Sequence, residues 1–209
     1  MSTYSEMQID ADFVGGALCL DFANTYSEDD EGSDYEVFAT FGEFIKWAEH
    51  AKILTSTEAE DFYLRSLAEP AVVGQLLEEI KTLRHNLHRI FFAIAEDVQP
   101  PAKAVDGLNS TIETVYSKLR LEPKDQRYDW SWAGWSEDLA APIWPVVRSA
   151  AELLNSTELV RTRKCHNETC SWLFVDKSKN HSRRWCDMDV CGNRAKARKH
   201  YRKTRTSTN

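Results

Sequence analysis

The chain has 209 residues, 42% of them hydrophobic and 28% charged, with a formal net charge of −7. That balance belongs to a globular protein with apolar mass for a core, and it excludes a disordered or low-complexity chain. No apolar run nears the ~18 residues a membrane span needs, and the acidic N-terminus lacks a basic, apolar leader; the expected location is the cytoplasm.

Residues 13–25 open the ordered part with a glycine pair, Gly15-Gly16. Leu18, Leu20 and Phe22 then alternate with Ala17, Cys19 and Asp21. Alternation predicts a buried strand or strand-like segment, with Cys19 as a small core residue because no basic neighbour would activate its thiol. Asp21 and Asn24 are polar groups at its end, available to a ligand or to cap the next element. Residues 27–36, SEDDEGSDYE, read as an acidic loop.

Helices follow. Thr40-x-x-Glu43 and Thr55-x-x-Glu58 are capping boxes, predicting one helix to about Leu54 and another through Phe62 to Leu67. Pro70 can start the next, where Val73, Leu76, Leu77, Ile80, Leu83, Leu87, Ile90, Phe91 and Ile94 keep a 3–4 spacing. This is the expected central core helix. His85 and His88 on it have no third ligand at a suitable spacing, and Arg84 and Arg89 flank them; they read as surface residues. Pro100-Pro101 ends that helix, and Leu108, Ile112, Val115 and Leu119 mark another.

Residues 123–145 are rich in aromatics. Tyr128, Trp130 and Trp132 share parity and would line one face of a strand. With Trp144 they either cover the helical core or wall an apolar effector pocket, for which Asp21, Asn24, Trp130, Trp132 and Trp144 are the candidates. Ser136 reads as the N-cap of a last helix carrying Leu139, Ile143, Val146, Val147, Ala150, Leu153 and Leu154.

From residue 161 the composition changes sign. Residues 161–209 hold 14 Lys and Arg against 4 Asp and Glu, while residues 1–160 hold 12 against 29. Here too sit four of the five cysteines, as Cys165-x4-Cys170 and Cys186-x4-Cys191. Two close pairs can deliver four thiolates to one tetrahedral ion, and four soft ligands with no open position suit zinc first and iron second. Two disulfides or four unrelated buried thiols are the competing explanations, the disulfides disfavoured in a reducing compartment. Between the pairs, Trp172–Val175, a polar turn and Arg183-Arg184-Trp185 predict a hairpin that returns Cys186 towards Cys170. Good helix formers from Ala195 to Lys203 place Cys191 at the start of a helix.

The expected architecture is therefore mainly α with short β elements. A helical N-terminal domain, 1–160, precedes a small treble-clef-like zinc module of hairpin and helix, 161–209, joined without a flexible linker. The charge asymmetry is that of a DNA-binding module carried by an acidic partner domain. Arg194, Lys196, Arg198, Lys199 and Arg202 on the helix would contact phosphates, with Asn193 beside them for base edges and Arg183 and Arg184 as auxiliary ligands. One small module makes few base contacts, so useful specificity would call for a homodimer.

Cys191-Gly192-Asn193-Arg194, preceded by Arg183-Arg184-Trp185-Cys186, resembles the signature of the CGNR zinc finger family. The stretch from Phe13 to Thr25 is similar to the opening of the ABATE domain, which precedes that finger and is assigned to stress-induced transcription regulation. The resemblance covers nearly the whole chain and implies a zinc-containing, DNA-binding bacterial regulator. The alternative from a different class is a zinc-stabilised module that docks protein or RNA. A nonenzymatic role is expected, because no phosphate loop, nucleophile elbow, H-E-x-x-H or paired-carboxylate arrangement stands out.

Overall fold

The computed structural model describes Tyr4, Met7, residues 11–28 and residues 34–198. Six α-helices and three two-stranded antiparallel sheets make up the described chain. They are α1 (Leu18–Ala23), β1 (Tyr26–Glu28), β2 (Asp34–Glu36), α2 (Phe41–His50), α3 (Ser56–Ser66), α4 (Pro70–Ala95), α5 (Ala102–Tyr116), β3 (Leu119–Lys124), β4 (Arg127–Trp132), α6 (Trp144–Leu154), β5 (Thr162–Lys164) and β6 (Leu173–Val175).

Residues 18–23 are helical, not extended as their alternation suggests. Cys19, Leu20, Asp21, Phe22 and Ala23 are all buried, so α1 has no solvent face, and without one a buried helix and a buried strand give the same apolar run. α1 packs against α4, α6 and β6. Gly15 makes this approach feasible: a Cβ there would lie 2.9 Å from both the Asp21 amide nitrogen and the Leu20 Cβ. Its N–H donates to Asp21 Oδ1 at 2.7 Å, and its carbonyl accepts from Val175 N–H at 2.8 Å. Burial pushes the Asp21 carboxyl up to about 6 against that hydrogen bond. Burial likewise raises the Cys19 thiol to about 12, as expected of a core cysteine.

Both capping boxes form. Thr40 and Thr55 accept from the backbone of Glu43 and Glu58, whose carboxylates return to the threonine N–H groups. α2 stops at His50, four residues short of the expected end, where Lys52 takes φ 62°. Pro70 opens the 26-residue α4, the spine of the fold, with Leu77, Ile80, Leu83, Leu87, Ile90 and Phe91 turned into the core.

Arg84 departs from its expected place beside surface histidines. It is wholly buried, and its guanidinium grips Glu36 with contacts of 2.7 and 2.5 Å. It also lies 5.1 Å from the Phe38 ring centroid. Burial raises the Glu36 carboxyl, but the hydrogen bonds and charge of Arg84 outweigh it and hold the group below its ordinary range.

The aromatic segment does form a strand. β4 pairs with β3 in the register Leu121↔Trp130 and Pro123↔Tyr128. Trp132, Trp135 and Trp144 form an edge-packed cluster against the core, whereas Tyr128 and Trp130 face outward at 68% and 48% exposure. Ser136 caps no helix. Residues 133–137 turn, Arg65 binds the carbonyls of Ser136 and Glu137, and a 3₁₀ turn at Ala141–Ile143 leads into α6, where Pro145 occupies the first turn.

Candidate metal centre and basic face

A second small cluster sits at the C-terminal end: Cys165, Phe174, Cys186 and Cys191, with Val14, Cys170, Trp172 and Trp185 around them. Its framework differs from the expected hairpin. β6 pairs with β5, in the register Thr162↔Val175, Arg163↔Phe174 and Lys164↔Leu173. Residues 183–185 form no strand. The first cysteine pair therefore rides on the tip of the β5–β6 hairpin, and Cys165 N–H extends the ladder to the Trp172 carbonyl at 2.9 Å. The second pair returns through single hydrogen bonds instead: His166 N–H to the Arg184 carbonyl at 2.8 Å and Arg183 N–H to Asp176 Oδ2 at 3.0 Å.

Side-chain alternation along β6 divides its loyalties. Leu173 and Val175 belong to the helical core, while Phe174, between them, faces the cysteines. This follows from the two-residue period of a strand.

The four Sγ atoms of Cys165, Cys170, Cys186 and Cys191 all lie within 4.8 Å of one another. Cys170–Cys186 and Cys186–Cys191 stand 3.8 and 3.6 Å apart. Zn–S bonds of about 2.3 Å in a tetrahedron put sulfurs ~3.8 Å apart, so the donor set fits zinc. The electrostatics agree. Hydrogen bonding from Cys170 pulls the Cys165 thiol down, while hydrogen bonding to Cys165 pushes Cys186 up. Four thiols this close cannot all ionise without a cation to neutralise them. Zinc held by all four leaves no open position, so it supplies structure and not Lewis-acid chemistry.

Groups around the sulfurs complete the centre. Asn167 Nδ2 donates to Cys191 Sγ at 3.4 Å, and Cys186 N–H to Cys165 Sγ at 3.5 Å. Asn167 Oδ1 in turn accepts from Arg198, which also reaches Thr169 Oγ1 at 3.1 Å and Glu168 at 3.6 Å. Such outer partners orient metal ligands and tune their basicity. Asn167 was missed in the sequence; its place two residues after Cys165, within the knuckle, was the available signal.

Cys191 lies in a π-helical turn, Met188–Gly192, capped by the Asp187 side chain, and the chain stays helical to Arg198. The expected helix start is thus present. Asn193, Arg194, Lys196 and Arg184 are exposed. Arg184 lies 5.3 Å from the Trp185 ring centroid. Arg183 is engaged internally: its guanidinium sits 4.2 Å from the Phe174 ring centroid and donates to the carbonyls of Val14, Trp185 and Cys186. Arg198 is the knuckle brace just described. Lys199 and Arg202 lie outside the described residues.

The remaining candidates are scattered. Asn24 is 2% exposed and bonds both ways to Leu173, donating to its carbonyl at 2.9 Å and accepting its N–H at 2.8 Å. Asp21 holds Gly15. Trp144 lines a cleft between α4 and α5, and Trp130 lies 5.8 Å from the Arg148 guanidinium. His85 and His88 are half-buried and not on the open surface: His88 Nε2 meets the Ser171 carbonyl at 3.1 Å, and His85 packs edge-on to Tyr26. Among the described residues no helix is long and apolar enough to cross a membrane.

Comparison with known families gives two matches. Residues 16–157 match ABATE, described as "putative stress-induced transcription regulator", and residues 161–204 match the CGNR zinc finger. No curated protein matches the chain. With two thirds of its length in the first match, the chain belongs to the ABATE family and carries a CGNR zinc finger behind that domain.

Proposed function

We propose that the protein is a cytoplasmic, DNA-binding transcriptional regulator in which the zinc finger contacts DNA and the helical region senses a small molecule or a partner. The observation that carries this reading is the exposure of Arg184, Arg194 and Lys196 beside the zinc centre, in a segment with a net charge of +10. Basic side chains on a rigid helix can follow phosphates, and the acidic remainder of the chain repels nonspecific contact elsewhere. Arg183 and Arg198, occupied inside the finger, support the basic face instead of touching DNA. Lys199 and Arg202 extend the same basic run in sequence. Two fingers in a homodimer would supply the contacts that one lacks.

The test is a binding titration of the zinc-loaded chain on genomic duplex fragments at two salt concentrations. Arg194→Ala with Lys196→Ala should weaken binding and lower the salt slope by about 2, while the zinc content stays at one ion per chain. A complex indifferent to both salt and these substitutions would remove DNA from the account and leave a protein- or RNA-docking module.

A further inference from the structure

The seam between the helical region and the finger contains a cleft of about 740 Å³, in the range that small ligands occupy. Tyr26, His85, His88, Arg89, Phe92 and Ser171 contribute to its wall, with Val98 and Pro101 on the apolar side. Among the described residues no carboxylate lines it. Glu96, the residue that follows α4, pairs with Lys164 at 3.0 Å. Arg89 is exposed and has no ion pair among the described residues. The Ser171 hydroxyl is buried without a hydrogen-bond partner among them, which is costly unless something else satisfies it. The floor is aromatic: Phe92 stacks on His88 with ring centroids 5.7 Å apart, and Val98 is left 58% exposed.

From these groups we infer that the cleft binds a small organic carboxylate with an aromatic or branched apolar body. The apolar part would lie on Phe92 and Val98, the carboxylate would meet Arg89, and the Ser171 hydroxyl would donate to the ligand. An anion is the complement of a site whose described lining carries an unpaired guanidinium and no acid. A carbonyl only accepts, so His88 donates its Nε2 proton to Ser171, and burial holds that imidazole below its ordinary protonation range, so it remains neutral. The attraction therefore falls to Arg89. Ser171 follows the metal ligand Cys170 directly, so a ligand here touches helix α4 and the finger together. The proposal rests on the reading of the helical region as a sensor and names its site and ligand class.

The test uses the zinc-loaded full chain without DNA, titrated calorimetrically with phenylacetate and, separately, with neutral phenylacetamide. Phenylacetate should bind about tenfold more tightly than the amide, and Arg89→Gln should erase the difference. Because Arg89 is exposed, this variant should keep the parent's melting temperature. Equal binding of acid and amide, binding unaffected by Arg89→Gln, or no binding of either would overturn the proposal. Since no DNA is present, any of those results leaves the DNA-binding reading standing, and loss of that reading leaves this one.

Discussion

The two regions reach stability by different means. The helical region buries a continuous apolar core in which Trp47, Phe22, Phe38, Phe44, Phe62 and Phe91 are almost fully enclosed. Among its described residues the finger encloses a single phenyl ring, Phe174, beside four sulfurs. A core that small cannot offset the conformational entropy of ordering about 40 residues, so the metal has to supply the difference. One region is held by area, the other by coordination, and their dependence on solution conditions should separate accordingly.

The sharpest division comes from metal removal. Chelation should cost the finger on the order of 10 kcal/mol, abolishing its dispersed NMR resonances while the helical far-UV circular dichroism largely persists. If the helices melted with it, the regions would form one cooperative unit and the contrast would fail. Arg84→Ala addresses the other side. It removes a buried guanidinium from Glu36 and should lower stability by about 3 kcal/mol, seen in a urea melt, without changing zinc stoichiometry. Loss of zinc in that variant would mean that the helical core props up the metal centre.

Asn24→Ala probes the border between them. Leu173 would lose partners for both its N–H and its carbonyl in a buried place, for a cost of about 2 kcal/mol. Amide exchange should quicken at Leu173 and Val175 before it does in α4. The smallest effect is a pH dependence. His88 is depressed in the folded state by burial, so the unfolded chain takes up a proton first as pH falls below its ordinary value near 6.5. Its stabilising contribution is present above that pH and is lost as pH drops through the folded value. Stability should decline as the pH falls from 7 to 5, and His88→Gln should flatten the slope; an unchanged slope would assign it to other groups.

Much of this was legible beforehand where a local rule dominates. Thr40 and Thr55 announce their helices because the capping box is complete within four residues. The cysteine spacing marks the metal centre because ligand geometry is set by short turns. The obscure parts depend on partners far away in sequence. Residues 18–23 look alternating only because every side of α1 is covered. β6 pairs with the segment before Cys165, and nothing in Trp172–Val175 distinguishes that partner from residues 183–185. Arg84, Asn24 and His88 look like surface polar groups until Glu36, Leu173 and Ser171 are brought against them. The same applies to Arg183 and Arg198: positive charge is visible in a sequence, but whether it faces solvent or a carbonyl is not.

β6 carries a consequence for how the chain assembles. Leu173 and Val175 face one core and Phe174 the other. A slip of one residue would put a phenyl ring among the helices and two aliphatic side chains against the sulfurs. Both errors would be penalised together, so the three residues act as a registration mark that is checked from both sides. The strand also ties the fates of the regions at a single point: a chain ended after Arg161 would lose not only its finger but also two aliphatic plugs from the helical core. Any transplant of the finger to another protein would need a host with two matching sockets and an asparagine to replace Asn24.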